Sequence, residues 1–509
     1  MPAIGTDLRL VPAALSAWLT ALVIVALPAG TVLVLAGAAA GLGLVAALTG
    51  VGSRRGPASP ALGQVVLIFV TVAVVAFAGA VQVDARRSGL LAGLVEQGAT
   101  VHLVGRVRSA PVPLAAPAGW GGAAARFRLE LAVEHVSGRG RAGAAAAPVL
   151  VLAGPAWARV AYGARVEATG TLAPTARGDV MLGLLTARGG PRSVAPPGAS
   201  DRTVGRIWAA LLAVTDNLAP DPRGLVPGIA VGDTSRLPAD LRDAMRVAGL
   251  THVTAVSGAH FAIIGASVLG LTGLVGLPRR ARIAVVVAAM AGVVLLVHAE
   301  PSVLRAAAMG AVGIGGMLLG RPSRALPALG ATVIVLLVVD PWLGRSFGFA
   351  LSVLATAGIV VLTEPITRRL ARLVPGRLGY AIAVPFAAQT ACAPVIVLLN
   401  PALATYAVAA NLAVAPALAP ATVLGVLAAL VAPWWPAAGA VLGGLAGWAA
   451  WWIAQVARVC ARLPAAQLPW PGGPGGAVAL AGATLAIGLA LSGRGRRQQP
   501  RRGRGPRRG

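Results

Sequence analysis

Long apolar runs broken by short polar connections set the pattern of this chain. They fall near residues 11–29, 31–50 and 61–83, then near 257–276, 281–298, 302–319, 325–339, 346–363, 379–399, 403–430, 437–457 and 476–492. A helix rises about 1.5 Å per residue, so roughly 20 apolar residues cross a hydrocarbon core of ~30 Å. The pattern predicts a polytopic α-helical membrane protein of about twelve transmembrane helices. The run at 325–339 is short, and that at 403–430 is long enough to hold a break.

Between the third and fourth runs, from Asp84 to about Pro220, the period changes. In Arg126-Phe127-Arg128-Leu129-Glu130-Leu131-Ala132-Val133-Glu134, charges alternate with apolar residues, the period of a half-buried strand. Further strands are expected at 100–108, 148–153, 165–172 and 179–186, separated by Gly-, Pro- and Ala-rich loops. Five strands in roughly 90 residues suit a small OB-like barrel, and a generic β-sandwich fits the same count. Residues 84–190 thus read as an inserted β domain, 191–220 as a linker and 221–492 as a second helical region. Pro238 and Gly249 bracket a short amphipathic helix, with Leu241, Met245 and Ala248 on its apolar face, expected to lie at the interface.

Charge refines this picture. The net charge of +27 comes from arginine alone, since the chain has no lysine. The clusters Arg54-Arg55, Arg279-Arg280-Arg282, Arg321/Arg324 and Arg368-Arg369-Arg372-Arg377 all fall on one side if every run crosses once, and basic loops mark the cytoplasmic side. The 84–190 domain is then extracytoplasmic and both termini cytoplasmic, with Arg458 and Arg462 as exceptions. Residues 493–509, eight of them arginine, cannot bury a core and read as a disordered tail anchored to anionic lipids or, alternatively, touching nucleic acid. Arg9 precedes two tandem apolar runs that read as retained helices rather than a cleaved signal. Cys392 and Cys460 lie in or beside apolar runs, so no disulfide framework is expected in the β region.

Residues 249–261, Gly-Leu-Thr-His-Val-Thr-Ala-Val-Ser-Gly-Ala-His-Phe, place His252, Thr254, Ser257 and His260 where the chain enters an apolar run. Polar groups there usually face a bundle interior or a water-filled path. Ser257 and His260 share a helix face at i, i+3, which fits either packing or a serine nucleophile with its base. Arg305 begins an apolar run: it snorkels or pairs with Glu300, or its guanidinium forks onto phosphate. Asp233 follows Gly232 and suits a turn. Gln389 and Asn411 are amides inside runs, where they bond across helices. Asn411, between Pro394 and Pro416/Pro420, also suits a broken-helix cavity.

These elements together resemble the ComEC family of inner-membrane DNA-uptake channels in natural competence. Besides 249–261, the resemblance rests on Val231-Gly232-Asp233-Thr234-Ser235-Arg236-Leu237-Pro238, Pro301-Ser302-Val303-Leu304-Arg305-Ala306, Gly348-Phe349-Ala350-Leu351-Ser352 with Gly358, Gln389 with Pro394, and Asn411-Leu412 with Pro416, in order over residues 225–425. It implies a channel passing single-stranded DNA into the cytoplasm during transformation, lined by Asp233, His252, Ser257, His260, Arg305, Gln389 and Asn411. It also implies an OB-like domain able to stack DNA on aromatics, with Trp120, Phe127, Trp157 and Tyr162 available and Phe127 expected in the core. A DNA receptor and a cytoplasmic ATP-driven motor are implied as partners, since no Gly-x-x-x-x-Gly-Lys loop exists here; membrane lipids and a second copy are further partners. Many family members add a metallo-β-lactamase-like domain. The histidines His102, His135, His252, His260 and His298 form no His-x-His pair, so neither nuclease activity nor a metal or other cofactor is expected. A transporter of another anionic polymer or lipid shares these features, as does, through Ser257, an intramembrane serine hydrolase.

Overall fold

The computed structural model describes residues 7–52, 60–114, 126–254, 257–297, 303, 307 and 325–493. The chain divides into two compact units. The first comprises Met1–Pro238, Val253–Phe349 and Leu418–Trp451, and the second Ala239–His252, Ala350–Ala417 and Trp452–Gly509.

The apolar runs become helices. In the first unit α1 (Val11–Ile24), α2 (Ala29–Gly52) and α3 (Pro60–Arg87) precede the β domain. After it, and after three helices described below, come α8 (Gly258–Leu274), α9 (Arg279–Leu296), α10 (Ala325–Val339), α11 (Phe347–Leu370), α12 (Gly376–Leu399), α13 (Ala407–Val431), α14 (Pro436–Arg462) and α15 (Gly473–Gly493). Among the described residues six helices are long and apolar enough to cross a membrane: α2, α3, α11, α12, α13 and α14. The protein is therefore a multi-pass helical membrane protein with a small mixed sheet. Apart from Val303 and Ala307, the run at 302–319 lies outside the described residues, as do Arg54, Arg55, Arg321, Arg324 and the basic tail.

The run at 403–430 differs from expectation. Its first residues form a short strand, Ala402–Ala404, paired with Gln467–Pro469, and α13 then continues unbroken through Pro416 and Pro420. Membrane helices tolerate such prolines because neighbouring helices and local adjustments satisfy the freed carbonyls.

The β domain begins with α4 (Leu90–Glu96) and holds β1 (Thr100–Val107), β2 (Val112–Leu114), β3 (Arg126–Gly138), β4 (Arg141–Ala153), β5 (Arg165–Pro174), β6 (Gly183–Ala187) and β7 (Arg192–Ala195). β3 and β4 join through Arg139 and Gly140, both with positive φ (51° and 74°), the conformation that continues strand twist through a two-residue hairpin. β1 pairs with both β3 and β5, β3 with β4, β4 with β6 in parallel, and β6 with β5. Five strands thus close into a ring. Leu103, Leu129, Leu131, Val149, Val151 and Leu185 fill its interior, joined by Leu91, Leu94 and Val95 of α4. Charges stay outside: Glu134 accepts from Arg165 at 2.7 Å and lies 3.9 Å from Arg106.

The expected strand at 179–186 starts later, at Gly183, because 175–182 form a loop in which the Thr175 hydroxyl donates to the Met181 carbonyl. The stretch 191–220 is more than a linker. It holds β7 and a sixteen-residue helix, α5 (Ala199–Val214), followed by α6 (Pro220–Val231). The helix between Pro238 and Gly249 forms as α7 (Ala239–Val247), burying Leu241, Ala244 and Met245.

Candidate functional site

In the first unit, two of the motif segments meet at Gly228 on α6. A Cβ added there would stand 3.6 Å from the methyl of Thr234 and 3.6 Å from that of Thr254. α6 ends at Gly232, in the left-handed region at φ 84°, and Asp233 then accepts the backbone N–H of Ser235 at 2.9 Å. Asp233 thus stabilises the turn, as the sequence suggested. Thr254 leads to Ser257, the extended residue at the start of α8.

Ser257 and His260 come together as a helix start. Nδ1 of His260 accepts the Ser257 backbone N–H at 3.2 Å and lies 3.1 Å from Ser257 Oγ. Accepting that N–H assigns the ring proton to Nε2, so Oγ donates to the same lone pair. His260 is fully buried and holds the first turn of α8. A Ser–His contact of this kind caps a helix.

In the second unit, Gly249 (φ 72°) stops α7, and a Cβ there would stand 2.8 Å from that of Ala407. Glycine is required on both counts. His252 is exposed in a 3-10 turn, Thr251–Val253. Asn411 donates to the Ala407 carbonyl of its own helix at 2.8 Å rather than across to another, and unbroken α13 gives it no helix break to line. The free donor of an amide one turn above a carbonyl closes locally when no partner is nearer. Gln389 is half-buried on α12 between Pro385 and Pro394. Arg458, an exception to the charge pattern, donates to Asp240 of α7 at 2.7 Å. That hydrogen bond holds the Asp240 carboxyl below the usual carboxylate range. Arg305 and Trp120 lie outside the described residues.

Two expectations about aromatics change. Trp157 is fully buried in the barrel core and donates to the Gly189 carbonyl at 3.0 Å, so it offers no stacking face. Phe127 is half-buried, paired with Ala153 near the start of β3, rather than in the core, whose residues on that strand begin at Leu129. Tyr162 is half-buried.

Sequence reasoning passed over two arginine groupings. Arg86 stacks 3.4 Å from the ring centroid of Trp342, and Arg87 donates to the carbonyls of Val25 and Leu27. Arg345 reaches the carbonyls of Leu22 and Arg177. Together they cap the C-terminal end of α1 and tie the 175–182 loop to it, where cations are favoured. The second grouping is Arg236, which donates to the Leu212 carbonyl at 2.9 Å and to Asp216 at 3.2 Å. Its signal was the pair Asp216-Asn217 interrupting an apolar stretch. Among the described residues no group of three or more His, Cys, Asp or Glu side chains gathers as metal ligands do.

Comparison with known proteins places these segments in a family. A family model described as competence protein matches residues 229–495, just over half of the chain. ComE operon protein 3 of Bacillus subtilis (strain 168) is 30% identical over 179 residues, which cover 35% of this chain and 22% of that protein. The aligned part thus spans about a fifth of that relative's length. No solved structure matches. The family match takes in both the Gly232-Asp233 turn and the Ser257–His260 helix start, and on its extent the chain belongs to the competence protein family, the ComEC-type membrane proteins its motifs resemble.

Proposed function

We propose that this chain is a membrane channel that passes single-stranded DNA into the cytoplasm during natural transformation, in the inner membrane of a bacterium. The observation that carries the reading is the convergence of the Gly-Asp turn and the segment leading into Ser257 on one glycine of a buried helix, inside the region matched by the competence family. A pore for a polyanion needs polar and cationic groups held within an apolar exterior. The candidate lining remains Asp233, His252, Ser257, His260, Arg305, Gln389 and Asn411.

The β domain fits an extracytoplasmic OB-like receiver of the strand. A closed ring in the order β1-β3-β4-β6-β5 with one parallel pair supports that reading over a sandwich, whose sheets keep open edges. A DNA receptor and an ATP-driven motor complete the pathway. The chain acts as a channel rather than an enzyme, and the self-closing Ser257–His260 pair counts against a serine hydrolase.

Transformation of a strain deleted for this chain tests the proposal. Loss of transformants, restored by the wild-type chain and only partly by Arg305→Lys, is the expected result; Arg305→Ala should fail at normal abundance, since lysine keeps the charge but not the fork. Parental transformation frequency in the deleted strain overturns it.

A further inference from the structure

The segment from Thr215 to Pro238 packs against α13 and α14, two helices long and apolar enough to cross a membrane. α6 has 12 residues, about 18 Å of helix, against a hydrocarbon core of ~30 Å. Nine of the twelve are nonetheless buried. A Cβ on Gly425 of α13 would stand 3.0 Å from that of Ala230, one on Gly447 of α14 would stand 3.7 Å from that of Pro222, and one on Gly443 would stand 3.6 Å from the methyl of Thr215. Gly425 lies six residues before the end of α13, and Gly443 and Gly447 lie seven and eleven residues after the start of α14. At 1.5 Å per residue these contacts sit about 9 to 17 Å from the turn joining the two helices. Trp434 and Trp435 at that turn are 88% and 65% exposed, as residues of an interfacial aromatic belt are.

At this depth the chain reverses. After Gly232 it runs back along α6: Thr234 lies against Gly228, and a Cβ on Gly224 would come within 2.5 Å of the Arg236 carbonyl oxygen. Helix one way and irregular chain the other make a re-entrant hairpin. Non-helical backbone at membrane depth persists only against protein or water. Ser235 is exposed, and the side chains of Arg236 and Asp216 are 35% and 60% exposed. An exposed ion pair within the membrane belongs to a water-filled space rather than to lipid.

We infer that the 232–237 turn lines an aqueous path inside the membrane, and that Arg236, held by Asp216 and the Leu212 carbonyl, contacts phosphate on that path. A guanidinium carries five N–H donors. The bonds to Leu212 and Asp216 both leave from one terminal nitrogen, so the others can fork onto a phosphodiester. The identity of the polyanion rests on the proposed function; the path itself does not.

The full chain with Cys392→Ser and Cys460→Ser, reconstituted in liposomes, tests both parts. Ser235→Cys should react with a charged methanethiosulfonate reagent, while Leu271→Cys, 64% exposed on apolar α8, should not; equal inertness of the two overturns the path. Arg236→Gln should lower entry of a labelled single-stranded oligonucleotide by about tenfold or more, the scale of a lost charge-assisted hydrogen bond. Arg236→Lys should lower it less. Unchanged entry with Arg236→Gln overturns the phosphate contact. If no oligonucleotide enters with any variant, yet Ser235→Cys reacts and Arg236→Gln lowers inorganic phosphate flux, the site stands and the DNA reading fails.

Discussion

The β ring and the hairpin of α6 with residues 232–237 belong to the same compact unit yet treat polar residues in opposite ways. In the ring, strand alternation turns every charge outward, and the interior is aliphatic apart from one hydrogen-bonded tryptophan. In the hairpin, a salt bridge and a run of turn backbone sit among apolar helices, satisfied by Asp216, the Leu212 carbonyl and the Asp233 side chain. Water outside the ring makes exposure cheap for a charge. At membrane depth exposure is affordable only beside a water path, so an ordinary ion pair acquires functional meaning.

Substitutions that break one region and spare the other sharpen this contrast. The largest effect is expected from Trp157→Ala, which removes the biggest fully buried side chain of the ring; about 3–5 kcal/mol should be lost. Limited proteolysis of membranes should then cut within residues 100–195 and leave the helical part intact. Gly425→Leu should push α6 off α13 at an overpacking cost of about 1–3 kcal/mol. Import should fall while proteolysis of the ring stays as in the parent; cleavage appearing in the ring instead means that the two regions are not separately built.

Smaller effects are expected at the start of α8. Ser257→Ala should cost about 1 kcal/mol as a lost cap and keep most import. His260→Ala should cost more, because it also empties a buried site. Complete loss of import in well-folded Ser257→Ala would revive a catalytic role. The smallest effect concerns pH. The Asp240 carboxyl is lowered by Arg458, so its contribution to stability is present above the ordinary carboxylate pKa and fades as pH falls through the lowered one. Glu130, raised chiefly by burial and partly restrained by Arg128, has the opposite sign: its contribution is full below the ordinary carboxylate pKa and is lost as pH rises through the raised one. Melting curves at several pH values should therefore flatten in opposite directions with Asp240→Asn and Glu130→Gln.

Much of the ring was legible because period-two alternation reports burial directly, as at Leu129, Leu131 and Val133. The short strands β2 and β7 escaped because their residues are largely exposed and carry no alternation. Apolar runs located the membrane helices well but said little about their faces, since a helix apolar all round has no preferred side. That is why Asn411 gave no sign of bonding within its own helix; the linker reading missed α5 for a different reason, since its first turns carry Ser200, Asp201, Arg202, Thr203 and Arg206 and only Val204 and Leu211 are buried. The Ser257–His260 pair was legible from its spacing. The Arg236–Asp216 pair joins positions twenty apart and became visible only once α6 folded the chain back.

The central claim is tested most directly by loading liposomes with a single-strand-specific nuclease, reconstituting the full chain in their membrane and supplying labelled DNA outside. Single-stranded DNA should be cut, duplex of the same sequence should not, and Arg236→Gln should suppress the cutting. Single-stranded DNA left intact while a labelled non-nucleic polyanion enters the same liposomes would contradict the claim.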